Sequence, residues 1–347
     1  LGLGELSREK YSGFHTTVTN FSSNALGYNN LQSGALRPWE GTGSYYDEPT
    51  LTSFLGRVNY AYNEKYILTF NLRADASSKF GANNKWGVFP SVSAAWNITQ
   101  EDFMKALPVI DNLKLRVGYG TAGNLGGIDS YTTLALLRPN GIAPVGNSPI
   151  VTYERMLNIN PDLKWEVTRT FNAGIDLALY GNRLLLSVNY YNSKTTDMLY
   201  NYDVSVPPFP YSTLLANLGS MRNCGTEIAV GVTPLQTKDM ELNINANLTF
   251  QKNKLLSLSG MYNGEYVSAP EYTAIGGLNG AGFHGGYNNI VYQIVGQPLG
   301  VFYLPHCTGL KPDGNGGYIY EVADLNGNGV NPVSYTHLRA HETLSDL

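Results

Sequence analysis

The chain has 347 residues, a formal net charge of −4 and 14% charged residues, well below the roughly one quarter that is usual. The small negative charge and the lack of lysine and arginine clusters interleaved with aromatic residues argue against nucleic-acid binding. Two cysteines, Cys224 and Cys307, form neither a disulfide framework nor a metal-binding spacing.

The sequence predicts neither a transmembrane helix nor a leader peptide within these 347 residues. No apolar run approaches the ~18 residues that a membrane-spanning helix needs. The opening stretch, "LGLGELSREKYSGFHTT", lacks the basic start and apolar core of a signal peptide. That absence would indicate a cytoplasmic protein only if Leu1 were a true start, and a chain that begins with leucine is interpreted as a fragment.

Apolar and polar residues alternate with a period of two along most of the chain, which predicts β-strands with one apolar and one polar face. The first predicted hairpin joins "SFLGRVNYAY" to "YILTFNLRAD" through a turn at 63–65. Six further predicted strands follow in chain order: "WGVFPSVSAAWNI", "LKLRVGYG", "WEVTRTFNAGIDLAL", "LLLSVNYYN", "GTEIAVGV" and "ELNINANLTF".

Two architectures produce this alternation. In a soluble sandwich the apolar face forms the core, whereas in an outer-membrane barrel it faces lipid and the polar face lines a wet lumen. Tyrosines near the short turns, an asparagine-rich polar face and the connection lengths favour the barrel. Short connections at 63–65, 180–183 and 234–240, with a medium one at 99–112, alternate with long ones at 74–85, 121–164, 193–225 and from 251 onward.

The predicted fold class is all-β, an antiparallel transmembrane β-barrel segment with short periplasmic turns and long extracellular loops. About eight strands are visible between residues 54 and 250. An eight-stranded barrel can close, but the outer loops are long for one. The strands also often exceed the ~10 residues that a bilayer requires. A larger barrel, of which this chain is a part, fits better.

Specific motifs resemble one family of barrels. The stretch from "SFLGRVNYAY" to "WNITQEDFM", together with "LKLRVGYGTAGN", "NPDLKWEVTRTFNAGIDLALYGNRLLLSVNYYNSKTTDML" and "GQPLGVFY", resembles the SusC/RagA-type TonB-dependent outer-membrane transporters of Bacteroidota. The resemblance covers roughly residues 1–331 and implies a barrel of about 22 strands with an internal plug. It further implies TonB-driven import of oligosaccharides or peptides with a SusD-like lipoprotein as a lid, and no enzymatic activity.

The expected organisation follows from that resemblance. Residues 1–331 form a partial TonB-dependent receptor barrel, with strands roughly within 54–250 and a long outer loop at 251–331. The plug, the TonB-contacting segment and the remaining barrel strands are expected outside this chain. A passive outer-membrane porin or adhesin barrel stays open as an alternative, as does a secreted, soluble glycan-binding β protein.

No catalytic constellation is present, so the predicted sites are binding sites. Side chains on the polar face are candidates for contacting cargo in the lumen, because amides offer both donors and acceptors to sugar hydroxyls or peptide groups. Solvation of the lumen or contact with the plug is the simpler interpretation. The candidates are Asn71, Arg73, Arg116, Asn243, Asn245 and Asn247.

One stretch has the spacing of a metal loop. "DLNGNGV" places Asp324, Asn326 and Asn328 at alternate positions before Gly329, which matches the first half of a calcium loop. Tyr335 stands where the acidic ligand at the twelfth position is expected, so the loop is incomplete and an Asn-Gly-rich turn is the alternative. No resident cofactor is predicted, with Ca²⁺ possible in the intact protein.

The last residues, 332–347, contain a His337-x-x-x-His341-Glu342 pattern with the helical spacing of a zinc site. However, "VSYTHLRAHE" at 333–342 resembles the translation of a transposase adapter used in sequencing libraries. We therefore interpret 332–347 as a non-native, adapter-derived tail, to be excluded from reasoning about fold and chemistry.

Overall fold

A computed structural model describes most of the chain. The described residues are 1–38, 41–81, 83–146, 148–155, 157–278, 288–304, 307–312, 314, 317–323 and 339–341. Its strands are β1 (Gly2–Arg8), β2 (Tyr11–Thr16), β3 (Thr19–Phe21), β4 (Gly34–Leu36), β5 (Thr42–Asp47), β6 (Thr50–Tyr62), β7 (Tyr66–Ser77), β8 (Trp86–Asn97), β9 (Ile110–Asn124), β10 (Leu137–Val145), β11 (Ser148–Arg155), β12 (Glu166–Leu179), β13 (Leu184–Asp203), β14 (Thr213–Gln236), β15 (Glu241–Tyr262), β16 (Glu265–Ser268), β17 (Tyr272–Leu278), β18 (Asn288–Ile294), β19 (Val301–Leu304), β20 (Cys307–Pro312), β21 (Tyr318–Val322) and β22 (Arg339–His341).

Among the described residues, ten strands form the main sheet, in the order β1-β6-β7-β8-β9-β12-β13-β14-β15-β16. Each of the eight segments predicted from alternation falls in one of these strands to within one residue, from β6 to β9 and from β12 to β15. The strand pairs whose register is described are antiparallel, and the register along β12 and β13 runs without a shift. The all-β prediction is confirmed, and the main sheet also includes strands outside 54–250.

The short connections are tight turns between neighbouring strands. Asn63 and Glu64 both have positive φ, at 50° and 56°, in the turn between β6 and β7. Two successive residues in this left-handed region match the type I′ turn that suits the twist of a hairpin. At 180–183, Tyr180, Gly181 and Asn182 also have positive φ. The predicted positions of both turns are therefore correct.

The prediction of a long loop at 193–225 is wrong. β13 runs to Asp203 and β14 begins at Thr213, so only nine residues connect them. Residues 193–197 are all polar, and the register is irregular around Met198, so alternation gives no sign of the continuing strand. Similarly, β15 continues to Tyr262 within the region expected to be loop.

Apolar packing accounts for these long strands. A core cluster joins residues of β13, β14, β15 and β16 with a neighbour that follows β16. Its buried members are Tyr202, Leu214, Ala216, Leu255, Leu258, Val267 and Ala269. Burying these side chains favours extension of the hairpin beyond the length that a bilayer requires.

The chain divides into two compact units. The first comprises Leu1–Val58, Asn71–Pro90 and Leu125–Trp165, and the second comprises Asn59–Phe70, Ser91–Asn124 and Glu166–Leu347. The core cluster above belongs to the second unit.

In the first unit, the buried Trp165 packs against Phe80 and Phe89, with ring centroids 4.9 and 5.6 Å away. The Trp165 indole N–H donates a hydrogen bond to the carbonyl oxygen of Lys85 at 3.2 Å. This aromatic core ties the end of the 125–165 segment to β8 and the residues before it. Among the described residues, no helix is long and apolar enough to span a membrane.

Candidate functional site

The apolar face of the sheet is exposed across the second unit. On β9, Val117 is 45% exposed, and on β15 Phe250 is 59% exposed. Apolar patches this extensive mark an interaction with a membrane or another protein. Residues from Leu242 to Phe250 alternate over eight steps of the chain, about 27 Å along the strand. That length is of the order of the ~25 Å apolar band of outer-membrane barrels.

A shallow hollow of about 950 Å³ lies on this apolar face. The small side chains of Ala94 and Ala173 contribute to its lining, and Tyr60, Trp96 and Tyr190 are among the larger residues around them. Its mostly apolar wall suits hydrocarbon chains rather than polar cargo.

Polar and aromatic side chains meet at the short-turn end of β7 and β8. The Glu101 carboxylate accepts hydrogen bonds from the Lys65 ammonium at 3.1 Å, the Tyr66 hydroxyl at 2.8 Å and the Trp96 indole at 3.2 Å. The Tyr66 and Trp96 rings stack with centroids 6.4 Å apart. The hydrogen bond from Tyr66, followed by those from Lys65 and Trp96, lowers the pKa of Glu101 below its ordinary value. This arrangement of amphipathic rings is typical of a membrane interface.

The polar face carries a network around Arg116. Its guanidinium donates two hydrogen bonds to Asp176, at 2.7 and 2.8 Å, and one to the Asn189 side-chain oxygen at 2.8 Å. The Ser187 hydroxyl also donates to Asp176, at 2.8 Å. Bidentate pairing of this kind fixes the guanidinium plane. Arg116 is therefore held in place by protein groups.

Gly174 makes room for that network because it lies directly between Arg116 and Asn189 in the strand register. A Cβ at this position would lie 2.5 Å from Asn189 Oδ1 and 3.0 Å from Arg116 Nη2. Such distances are too short for ordinary contacts. The glycine is thus required by close packing on the polar face.

The other predicted lumen residues lie in separate places. Asn71 accepts a hydrogen bond from Arg57 at 2.6 Å, and Arg73 pairs with Asp75 at 2.8 Å; both belong to the first unit. In the second unit, Asn243 accepts from Thr233 at 2.6 Å and donates to Glu241 at 2.8 Å.

Asn245 and Asn247 are exposed on the same strand as Asn243, and β15 is four strands from β9 in the sheet order. At ~4.8 Å per strand, about 19 Å separate these asparagines from Arg116 along the sheet. The second unit thus presents a polar surface, and its four candidates do not form one pocket.

Sequence reasoning found Arg116 but missed its partners Asp176, Ser187 and Asn189. The sequence places each of these partners on the polar side of its strand. Their contact with Arg116 also depends on the strand register, which alternation does not determine. The predicted calcium ligands Asp324, Asn326 and Asn328 lie outside the described residues. Within the described part of the chain, no group of three or more His, Cys, Asp or Glu side chains is placed to hold a metal ion.

These features define a class of protein. An antiparallel sheet with one exposed apolar face, one polar face and aromatic residues at its short turns is a segment of a transmembrane β-barrel. The family model described as TonB dependent receptor-like, beta-barrel matches residues 3–341. The chain belongs to this family of outer-membrane receptors, whose members are not enzymes.

Individual relatives agree with that assignment. The chain is 35% identical over 227 residues to the TonB-dependent receptor SusC of Bacteroides thetaiotaomicron, covering 64% of this chain and 22% of that protein. It is 34% identical over 284 residues to the TonB-dependent receptor P39 of Formosa agariphila, covering 79% of this chain and 24% of that protein. The chain therefore spans about a quarter of the length of these relatives.

Solved structures support the same fold. The structure of the RagAB peptide transporter matches 99% of this chain and 34% of its own chain, with a TM-score of 0.69 and 23% identity. The RagAB peptide importer in its open-open state matches with a TM-score of 0.70 and 23% identity. The resemblance to SusC/RagA-type barrels is thereby confirmed for the fold.

Proposed function

We propose that this chain is part of a TonB-dependent outer-membrane importer of oligosaccharides or peptides that works with a SusD-like lipoprotein. The observation that carries the proposal is the family match over residues 3–341, together with the likeness to SusC and to the RagAB peptide transporter. The two-faced sheet is consistent with it, because a barrel that imports polar cargo needs a lipid-facing wall and a wet interior.

The intact gene provides the test. Deleting it from the source bacterium should abolish growth on one cargo class, either oligosaccharides or peptides, and uptake of a fluorescent member of that class. Complementation with the intact gene should restore uptake, and complementation in a strain that lacks TonB should not. Uptake that persists without TonB would support the passive porin instead. Loss of the bacterium's binding to a surface on deletion, with no change in uptake, would support the adhesin.

The proposed lipoprotein partner has its own test. A tagged intact receptor should retain the SusD-like lipoprotein encoded beside its gene during purification in mild detergent. A receptor that purifies without any lipoprotein, in a strain that expresses the neighbouring gene, would contradict the partnership while leaving TonB-driven uptake as a separate question.

On the polar face we propose that Asn245 and Asn247 contact cargo, because both side chains are exposed. Asn243 on the same strand is a matched control, since its amide already binds Thr233 and Glu241. Asn245→Ala/Asn247→Ala should raise the cargo concentration for half-maximal uptake about tenfold, as expected for two lost hydrogen bonds. Asn243→Ala should change it less, and an equal effect from both would contradict the assignment.

A Ca²⁺ ion bound by Asp324, Asn326 and Asn328 of the intact protein is also proposed, on the loop spacing alone. Removal of calcium should lower the melting temperature of the intact receptor, and Asp324→Ala should eliminate the difference. An intact receptor that melts at the same temperature with calcium and with chelator would refute this site.

A further inference from the structure

Four cations stand in register on four neighbouring strands of the second unit. Arg169 on β12 pairs with Lys194 on β13, Lys194 pairs with Arg222 on β14, and Arg222 pairs with Lys254 on β15. At ~4.8 Å per strand, their backbones span only about 14 Å. We call these four residues the basic row. They form a compact, strongly positive line across the sheet.

The basic row lies on the apolar face. Side chains two or four residues apart along a strand point to the same side. Arg169 is therefore on the side of Phe171, Lys194 on the side of Tyr190, and Lys254 on the side of Phe250. The row faces the membrane side of the sheet and not the polar interior.

Along the strands, the row follows directly after the apolar band. On β15 the alternation of apolar residues from Leu242 ends at Phe250, and Lys252 and Lys254 continue the same side. The turns at 180–183 and 237–240 close the opposite end of these strands. In outer-membrane barrels, short turns mark the periplasmic end. The basic row is consequently at the level of the outer-leaflet headgroups.

Within the described part of the chain, no carboxylate forms an ion pair with these four cations. Like charges directly opposite each other on adjacent strands are destabilising. All four side chains are exposed, and none of them takes part in an ion pair within the described residues. Arg169 donates to the Thr196 hydroxyl at 3.0 Å and Arg222 donates to the Asn192 side-chain oxygen at 2.8 Å, and both acceptors are neutral. The four unpaired positive charges therefore favour the binding of an anion from outside the chain.

We propose that the basic row binds the phosphate groups of an anionic lipid in the outer leaflet. Guanidinium and ammonium groups both bind phosphate, the former with bidentate geometry. The acyl chains of the same lipid would lie against Phe171, Tyr190 and Phe250 directly below the row. This binding site is separate from cargo import, so it stands whether or not the proposed function is correct.

Retention of a phosphorylated lipid by the intact receptor tests the proposal. The receptor is placed in phosphatidylcholine nanodiscs with diphosphoryl lipid A, and the lipid it keeps in mild detergent is counted by native mass spectrometry. Lys194→Gln/Arg222→Gln should weaken retention about 25-fold, from about 1 kcal/mol per basic residue at a charged membrane surface. Lys105→Gln/Lys238→Gln, which removes the same charge at the short-turn end, should stay within about threefold of the native protein.

Two further measurements distinguish the phosphate groups of a lipid from free phosphate. Lipid A from which the phosphates have been removed should be retained no better than phosphatidylcholine, and inorganic phosphate at an equal concentration should not displace diphosphoryl lipid A. Equal retention of the dephosphorylated lipid, displacement by inorganic phosphate, or an equal loss in both double variants would overturn the proposal.

One other outcome would show that the basic row binds a protein and not a lipid. If Lys194→Gln/Arg222→Gln loses the lipoprotein encoded beside the gene but keeps diphosphoryl lipid A at the native level, the basic row binds that lipoprotein and the lipid proposal fails. Heat-modifiable migration of each variant on a gel serves as the folding control, because a folded barrel and an unfolded chain migrate differently. For a variant that does not fold, Arg222→Gln alone replaces it, with an expected loss of about fivefold.

Discussion

Replacing Gly174 with alanine tests the packing of the polar face. The added Cβ would lie 2.5 Å from Asn189 Oδ1 and 3.0 Å from Arg116 Nη2. Either Asn189 must turn away or the guanidinium must move, and a moving guanidinium strains its two bonds to Asp176. Overpacking of this kind costs about 1–3 kcal/mol.

Gly56 provides the matched control for that substitution. It also lies inside a strand, but a Cβ there would have no neighbour within 4 Å. Alanine in a strand avoids the conformational entropy that glycine loses, which favours the Gly56→Ala variant by roughly 0.5–1 kcal/mol. The two variants should therefore differ by about 2 kcal/mol, with Gly174→Ala the less stable.

The assay is the loss of the folded, heat-modifiable gel band of the intact receptor as temperature rises. Gly174→Ala should lose the band at a lower temperature than the native protein, and Gly56→Ala should not. In an Asn189→Ala background the closest clash disappears, so the penalty of Gly174→Ala should fall by about half, as expected for residues in direct contact. Equal melting of the two glycine variants, or no change in the Asn189→Ala background, would refute the packing described for Arg116 and Asn189.

Three further predictions concern the interface, the sheet edges and the tail. Glu101→Gln should destabilise the intact receptor at neutral pH. Since the pKa of Glu101 in the folded protein is lowered from 4.5, the stability difference from the native protein should persist above about pH 4.5 and shrink as the pH falls below it. A stability difference that grows with acid would contradict the network. This chain expressed alone should give no monomeric heat-resistant band, because among the described residues β1 and the 241–250 stretch of β15 have a neighbouring strand on one side only; a discrete band of that kind would show that the chain closes by itself. Resequencing the source DNA should show adapter sequence from codon 332 onward, and native coding sequence through that position would disprove the adapter origin.

Much of the fold was readable from local pattern. Alternation located all eight predicted strands, and the turns at 63–65 and 180–183 followed from where alternation stopped. The reason is that one side of each strand meets an apolar environment, so the period of two is imposed along its whole length. The same logic failed at 193–203, because residues 193–197 are all polar and the register is irregular around Met198, although pairing with β14 continues.

The candidate site was less predictable, because charge clusters in a sheet are built across strands. Arg116 was identifiable as a polar-face residue, but its contact with Asn189 joins positions 73 residues apart. Likewise, Lys194 and Lys254 are unremarkable in sequence and become part of one row only through β14 between them. A shift of one residue in any pairing would place such side chains on opposite faces.

The sequence by itself determined the class of the protein: alternation, turn spacing and tyrosine-rich turn ends follow from a sheet with lipid on one side and water on the other. Tertiary structure alone decided which side chains meet, since register is set by pairing along the full length of neighbouring strands. That pairing places Gly174 between Arg116 and Asn189, extends β13 and β14 around a buried core, and aligns four cations beyond the apolar band. Each of these depends on contacts between residues distant in the chain, which no local period encodes.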